Sequence, residues 1–135
     1  MNISSIHRGI IVHQVNCQGV MGCGIALAIR HRWPRVFEQY RKHPPSLGQI
    51  QLVQVSDNLY VCNLAGQERY GRGRRYTNYT AVQSGLTKLN SWATEHNLPV
   101  FIPAGMGCHN AGGDWAVVDR IISKTLTTCN FTIKP

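Results

Sequence analysis

The chain has 135 residues, of which 43% are hydrophobic, and its fourteen Lys and Arg against six Asp and Glu give a formal charge of +8. That length fits one compact domain, taken as residues 1–135, with a core of its own, and no apolar run nears the roughly 20 residues that cross a bilayer. The positive excess suits phosphate-bearing ligands or nucleic acid, with plain solubility as the bland alternative.

"MNISSIHRG" at the start contains no hydrophobic signal-peptide centre, so a cytoplasmic protein is expected. Residues 9–15, "GIIVHQV", read as a buried strand. From Gly24 to about His43 the spacing turns helical, and Pro34 divides the stretch in two. "PPSLG" is a connector, "QIQLVQV" alternates as a half-buried strand, and "NLYVCNL" is its neighbour across a short "SDN" turn. Residues 65–78 form a polar loop, followed by a helix from about Tyr79 to His96 with Val82, Leu86, Leu89 and Ala93 on one face. "PVFIP" is a short strand and "AGMGCHNAGG" a loop. Asp114 caps a helix that turns Trp115, Val118, Ile121, Ile122 and Leu126 inward, and "CNFTIK" is a last strand. Strands alternating with helices imply an α/β fold, a three-layer α/β/α sandwich around a mixed, partly parallel sheet.

Both glycine-rich stretches, "NCQGVMGCG" and "AGMGCHNAGG", follow a buried strand and precede a helix. In open α/β sheets ligands bind beyond the carboxyl ends of strands, so the two loops should meet at one crevice. Glycine allows close backbone approach, and exposed N–H groups beside a helix start suit phosphate oxygens. Neither loop contains G-K-[ST], and the first breaks the G-x-G-x-x-G spacing at Leu27.

"IVHQVNCQGVMGCGIALAI" together with "IPAGMGCHNAGGDW" resembles the macro domain family, in its branch of ADP-ribose 1″-phosphate phosphatase-like proteins. The resemblance covers roughly residues 9 to 133. It implies ADP-ribose, or ADP-ribose 1″-phosphate, bound across the crest of the sheet. By that likeness Asn16 meets the distal ribose, and Gly22, Cys23, Gly24 and Ile25 surround the diphosphate. Gly105, Met106, Gly107, Cys108, His109, Asn110 and Ala111 form the second phosphate loop, and Gln67 lies nearby. Family members also begin with an extra strand carrying an adenine-binding aspartate and end on an aromatic. Here no aspartate precedes Asp57 and only Phe131 lies near the end, so the first strand and the usual adenine contacts are expected to be missing.

One catalytic branch of the family removes ADP-ribose from protein or DNA with a lysine that would fall at Gly66 or Gln67, paired with an acid at Ala111. No lysine lies between Lys42 and Lys88, so that covalent route is not expected. Phosphate-ester hydrolysis needs a positioned water, a base and charge stabilisation. His109 is the first candidate base, since imidazole changes charge near neutral pH. Its rival role is a solvent-facing loop residue. His13, placed on the opposite face from Asn16 by alternation, is either catalytic or a buried residue bonded to a backbone carbonyl. Asp114 is a weaker base, because a helix start stabilises its charged form.

The five cysteines, Cys17, Cys23, Cys62, Cys108 and Cys129, include no C-x-x-C pair. Reduced thiols are expected, with no cofactor and no metal. "RYGRGRRY" sets Arg69, Arg72, Arg74 and Arg75 among tyrosines, as a rim of the crevice, a surface for RNA or poly(ADP-ribose), or a solvated loop. The resemblance leaves hydrolase, non-catalytic ADP-ribose reader and basic RNA-binding module open as alternatives.

Overall fold

The computed structural model describes residues 1–22 and 24–135. After a 3-10 turn (Ile3–Ser5) the elements run β1 (Gly9–Val15), α1 (Gly24–Arg32), α2 (Pro34–Lys42), β2 (Ile50–Ser56), β3 (Leu59–Ala65), α3 (Tyr79–His96), β4 (Val100–Pro103), α4 (Trp115–Thr125) and β5 (Phe131–Lys134). The strands form a five-stranded sheet in the order β2-β3-β1-β4-β5. β2 and β3 pair antiparallel, while β1 runs parallel to β3 and β4, and β4 parallel to β5. The expected mixed α/β sheet between helices is therefore the architecture. The opening 3-10 turn was not expected; the Asn2 side chain holds it by accepting from the Ser4 N–H.

β1 opens on the apolar run Ile10, Ile11 and Val12 because it is central and covered on both faces. Ile10 and Val12 pack with Leu64, Leu86, Leu89, Val118 and Ile122 beneath α3 and α4. Ile11 packs with Ile29, Val36 and Val61 beneath α1 and α2. Local chemistry sets the boundaries. Pro34 opens α2, where its missing N–H costs nothing. Asn78 caps α3 by accepting from the Ala81 N–H at 2.9 Å, and Asn97 ends it in the left-handed conformation at φ 52°. Asn58, at φ 58°, turns the β2–β3 hairpin. Among the described residues no helix is long and apolar enough to cross a membrane.

Candidate functional site

The two glycine loops leave the carboxyl ends of β1 and β4, which are neighbours in the sheet, and open onto one crevice of about 780 Å³. From the expected set, Asn16, Gly22, Gly24, Ile25, Gln67, Gly105, Met106, Gly107, His109, Asn110 and Ala111 line it. Cys23 lies outside the described residues. Cys108 does not line the crevice; its thiol turns back to the Met106 carbonyl at 3.4 Å, and burial pushes its pKa up.

In the first loop Asn16 shapes the backbone. Its Oδ1 accepts from the Gln18 N–H at 2.9 Å and its Nδ2 donates to the Val20 carbonyl at 2.9 Å. The Tyr40 hydroxyl, wholly buried on α2, lies 2.6 Å from Asn16 Oδ1 and 2.7 Å from its carbonyl. Desolvation pushes the Tyr40 pKa up to about 12, so the phenol stays a donor. One Nδ2 hydrogen of Asn16 meets no acceptor among the described residues and remains for a ligand at the crevice. α1 then starts at Gly24, at φ 60°, with no acid in its first turn. Its first residues Gly24, Ile25 and Ala26 line the crevice, so the positive end of the helix lies at the crevice wall.

The second loop is a run of tight turns. The Met106 N–H donates to Pro103, Cys108 to Gly105, Gly112 to His109 and Gly113 to Gly107. The amides of Gly105, Gly107 and Ala111 meet no backbone acceptor among the described residues. Gly105 and Gly107 hold φ of 81° and 78°, a region costly for other residues. The exposed His109 ring folds over Gly105, where a Cβ would sit 2.8 Å from Nε2.

His13 corrects an expectation twice. It is wholly buried and away from the crevice, and its Nε2 lies 2.6 Å from the side-chain Oδ1 of Asn63, not against a backbone carbonyl. Asn63 Nδ2 donates to Gln51 Oε1, and Gln51 Nε2 donates to the Gln39 and His43 carbonyls that end α2. A polar row thus crosses three strands beneath α2. Because Asn63 turns its Nδ2 to Gln51 and its carbonyl oxygen to the imidazole, His13 must donate from Nε2, and its Nδ1 meets no partner among the described residues. Burial lowers its pKa from 6.5 to about 4, partly offset by the Asn63 bond. Asn16 also faces α2, through Tyr40, and not the opposite layer. The chain leaves the strand at Val15, so alternation no longer governs it.

The basic loop divides. Tyr70 and Arg72 line the crevice, whereas Arg74 lies over the Tyr76 ring at 5.0 Å and Arg75 over Tyr79 at 4.4 Å. The Arg69 carbonyl accepts from Gln67 Nε2 at 2.8 Å. Asp114 caps α4, its Oδ1 accepting from the Ala116 N–H at 3.0 Å. Among the described residues no group of three or more His, Cys, Asp or Glu could hold a metal ion. Sequence reasoning missed Gln14, Thr77 and Tyr40. Only Gln14 left a trace, as a polar side chain at the end of an apolar strand.

No family model matches the chain. It is similar to a macrodomain protein from Streptomyces coelicolor, with 30% identity, TM-score 0.79, and 95% of this chain and 89% of that one covered. It is also similar to the macrodomain of Mycobacterium tuberculosis DarG, at 28% identity, TM-score 0.77 and the same coverage. A Mycobacterium tuberculosis DNA ADP-ribosyl glycohydrolase is 29% identical over 121 residues, 84% of this chain. The chain spans about a third of the length of such curated relatives, 34% of that protein. The two Mycobacterium tuberculosis relatives are named for DarG and for DNA ADP-ribosyl glycohydrolase, not for the phosphatase-like branch that the motifs suggested.

Proposed function

Because the chain belongs to the macrodomain family, we propose that its crevice binds ADP-ribose and hydrolyses a bond at the distal ribose. The observation that carries this is the convergence of both glycine loops on one crevice of about 780 Å³, with amides of the second loop that meet no backbone acceptor among the described residues. Gly105, Gly107 and Ala111 offer N–H groups to a diphosphate from one side, and the α1 start at Gly24 offers its own from the other. Asn16 supplies one N–H to the distal ribose, while its remaining bonds hold the loop in shape.

Within the described lining His109 is the side chain suited to act as a base. With ADP-ribose 1″-phosphate as substrate, His109 takes a proton from water as the water oxygen bonds to phosphorus. The bond from phosphorus to the ribose oxygen breaks, and that oxygen takes the proton from the His109 imidazolium to leave as the hydroxyl of ADP-ribose, with inorganic phosphate as the other product. Arg72 at the rim offsets the charge on the phosphoryl oxygens. The lysine of that other route would fall at Gly66 or Gln67, where this chain has no amine and Gln67 has both ends of its amide bonded.

Calorimetry with ADP-ribose tests the pocket, and incubation with ADP-ribose 1″-phosphate tests the reaction. Release of phosphate by the parent protein, lost in His109→Ala with ADP-ribose affinity kept, is the expected result. Binding without release, unchanged by His109→Ala, would leave a reader of ADP-ribose. Because a relative bears the name DNA ADP-ribosyl glycohydrolase, an ADP-ribosylated oligonucleotide forms a third arm. Its cleavage in place of the phosphate ester would shift the reaction to the glycosidic bond.

A further inference from the structure

Gln14, at the crevice end of β1, spends both amide hydrogens on one side, donating from Nε2 to Gln67 Oε1 at 2.9 Å and to Thr77 Oγ1 at 2.8 Å. With its hydroxyl oxygen so engaged, Thr77 turns its own hydrogen to the Gly107 carbonyl at 2.6 Å. The Gly113 N–H reaches the same carbonyl at 2.9 Å. The room for this arrangement is made by glycine. A Cβ at Gly66 or at Gly107 would lie 2.5 Å from Gln14 Oε1. Donor direction is fixed along the whole relay, because Gln67 Nε2 is committed to the Arg69 carbonyl.

From this geometry we infer that Gln14 and Thr77 are positioning residues that lock the polarity of the second phosphate loop. The Gly107 carbonyl is held by two donors on the protein side, so it is not offered to the crevice, and the Gly107 N–H, on the preceding peptide, meets no backbone acceptor among the described residues. Glycine at φ 78° could otherwise let the Gly107–Cys108 peptide, which carries that carbonyl and whose N–H donates to Gly105, turn over at little cost. A turned peptide would set a carbonyl oxygen against a diphosphate oxygen, replacing attraction with repulsion. Gln14 and Gln67 also line the crevice, but their amide bonds are spent within the relay, which acts on the loop through Gly107. The ligand half of this inference rests on the ADP-ribose reading above, whereas the lock itself does not.

The test compares the parent protein with Thr77→Val, Thr77→Ser and Gln14→Met by calorimetry with ADP-ribose and by amide NMR without ligand. Thr77→Ser keeps the hydroxyl and should bind within about twofold of the parent, whereas Thr77→Val and Gln14→Met should weaken binding about tenfold or more. In the ligand-free spectra the Gly105 and Gly107 signals of these two variants should broaden or double, while those of β1 and α4 stay single. If either variant fails to fold, the other carries both readouts. Unchanged affinity with a single sharp Gly107 signal overturns the lock. A parent protein without affinity for ADP-ribose overturns the ligand reading instead, and the NMR comparison then decides the lock alone.

Discussion

His13 shows how one buried side chain makes stability depend on pH. Its imidazole is fully enclosed, neutral, and holds its pKa near 4 against 6.5 when unfolded. The folded protein therefore declines a proton that the unfolded chain accepts. The stabilising difference is complete above the unfolded pKa and is lost as pH falls from about 6.5 to about 4, below which it is constant. The loss amounts to about 3 kcal/mol, a large share of a small domain's stability. Urea unfolding at pH 7.5 and pH 5 should show a lower midpoint at the acid value. His13→Asn should flatten that difference while lowering stability at both. An equal pH response in His13→Asn would assign it to other groups. Tyr40 makes a second case, because its hydroxyl props the Asn16 turn from beneath. Tyr40→Phe should cost about 1 kcal/mol and weaken ADP-ribose binding as the first loop loosens. The sequence exposed Asn16 through its glycine neighbours. It could not expose Tyr40, which lies 24 positions away and is brought there by the packing of α2.

Elements were the most legible level, because each is written in a local pattern. The alternation in "QIQLVQV", the i, i+4, i+7 spacing of Val82, Leu86 and Leu89, and the Pro34 break each fix a strand or helix within a residue or two. What stayed hidden is contact between elements distant in sequence. The relay joining Gln14, Gln67, Thr77 and Gly107 draws on three separate segments, β1, the 65–78 loop and the second glycine loop, and no local pattern announces it. Gly85 in α3 is another such contact. By helix propensity alone Gly85→Ala should stabilise the protein by about 1 kcal/mol. Yet its Cβ would fall 2.6 Å from Leu64 Cγ on β3, where α3 lies close against the sheet. Overpacking of that kind costs about 1–3 kcal/mol, so the packing term wins and Gly85→Ala should lower the melting temperature. Shortening Leu64 to Ala opens a cavity of its own, but the double variant should be less destabilised than the two single effects combined. Strict additivity would mean that the two positions do not meet.

Across the whole molecule the positive charge is uneven, and that unevenness bears on what approaches the crevice. Before Asp57 the chain carries Arg8, Arg30, Arg32, Arg35, Arg41 and Lys42 against Glu38 alone. On α3 and α4, by contrast, Lys88, Arg120 and Lys124 are balanced by Glu95, Asp119 and the capping Asp114. The basic loop is tied to the first glycine loop by the Tyr70 N–H donating to Gln18 Oε1 at 3.1 Å, with Arg72 at the crevice, while Arg74 and Arg75 lie against Gly112 of the second loop. Arg41 borders the first loop from the other side, its Cα 3.7 Å from where a Gly19 Cβ would stand. Cations therefore flank the crevice mouth, while the α3–α4 face is neutral. A single-stranded oligonucleotide should bind with strong salt dependence, and its affinity should fall when Arg72, Arg74 and Arg75 are replaced by alanine. Each lost phosphate contact should reduce the salt slope by about 0.7. Exposed Tyr70 should add base stacking that persists at higher salt. Replacing Lys88 and Lys124 provides the control on the neutral face. If those changes weaken binding as much as the arginine changes do, the attraction belongs to net charge alone and the loop has no special part in it.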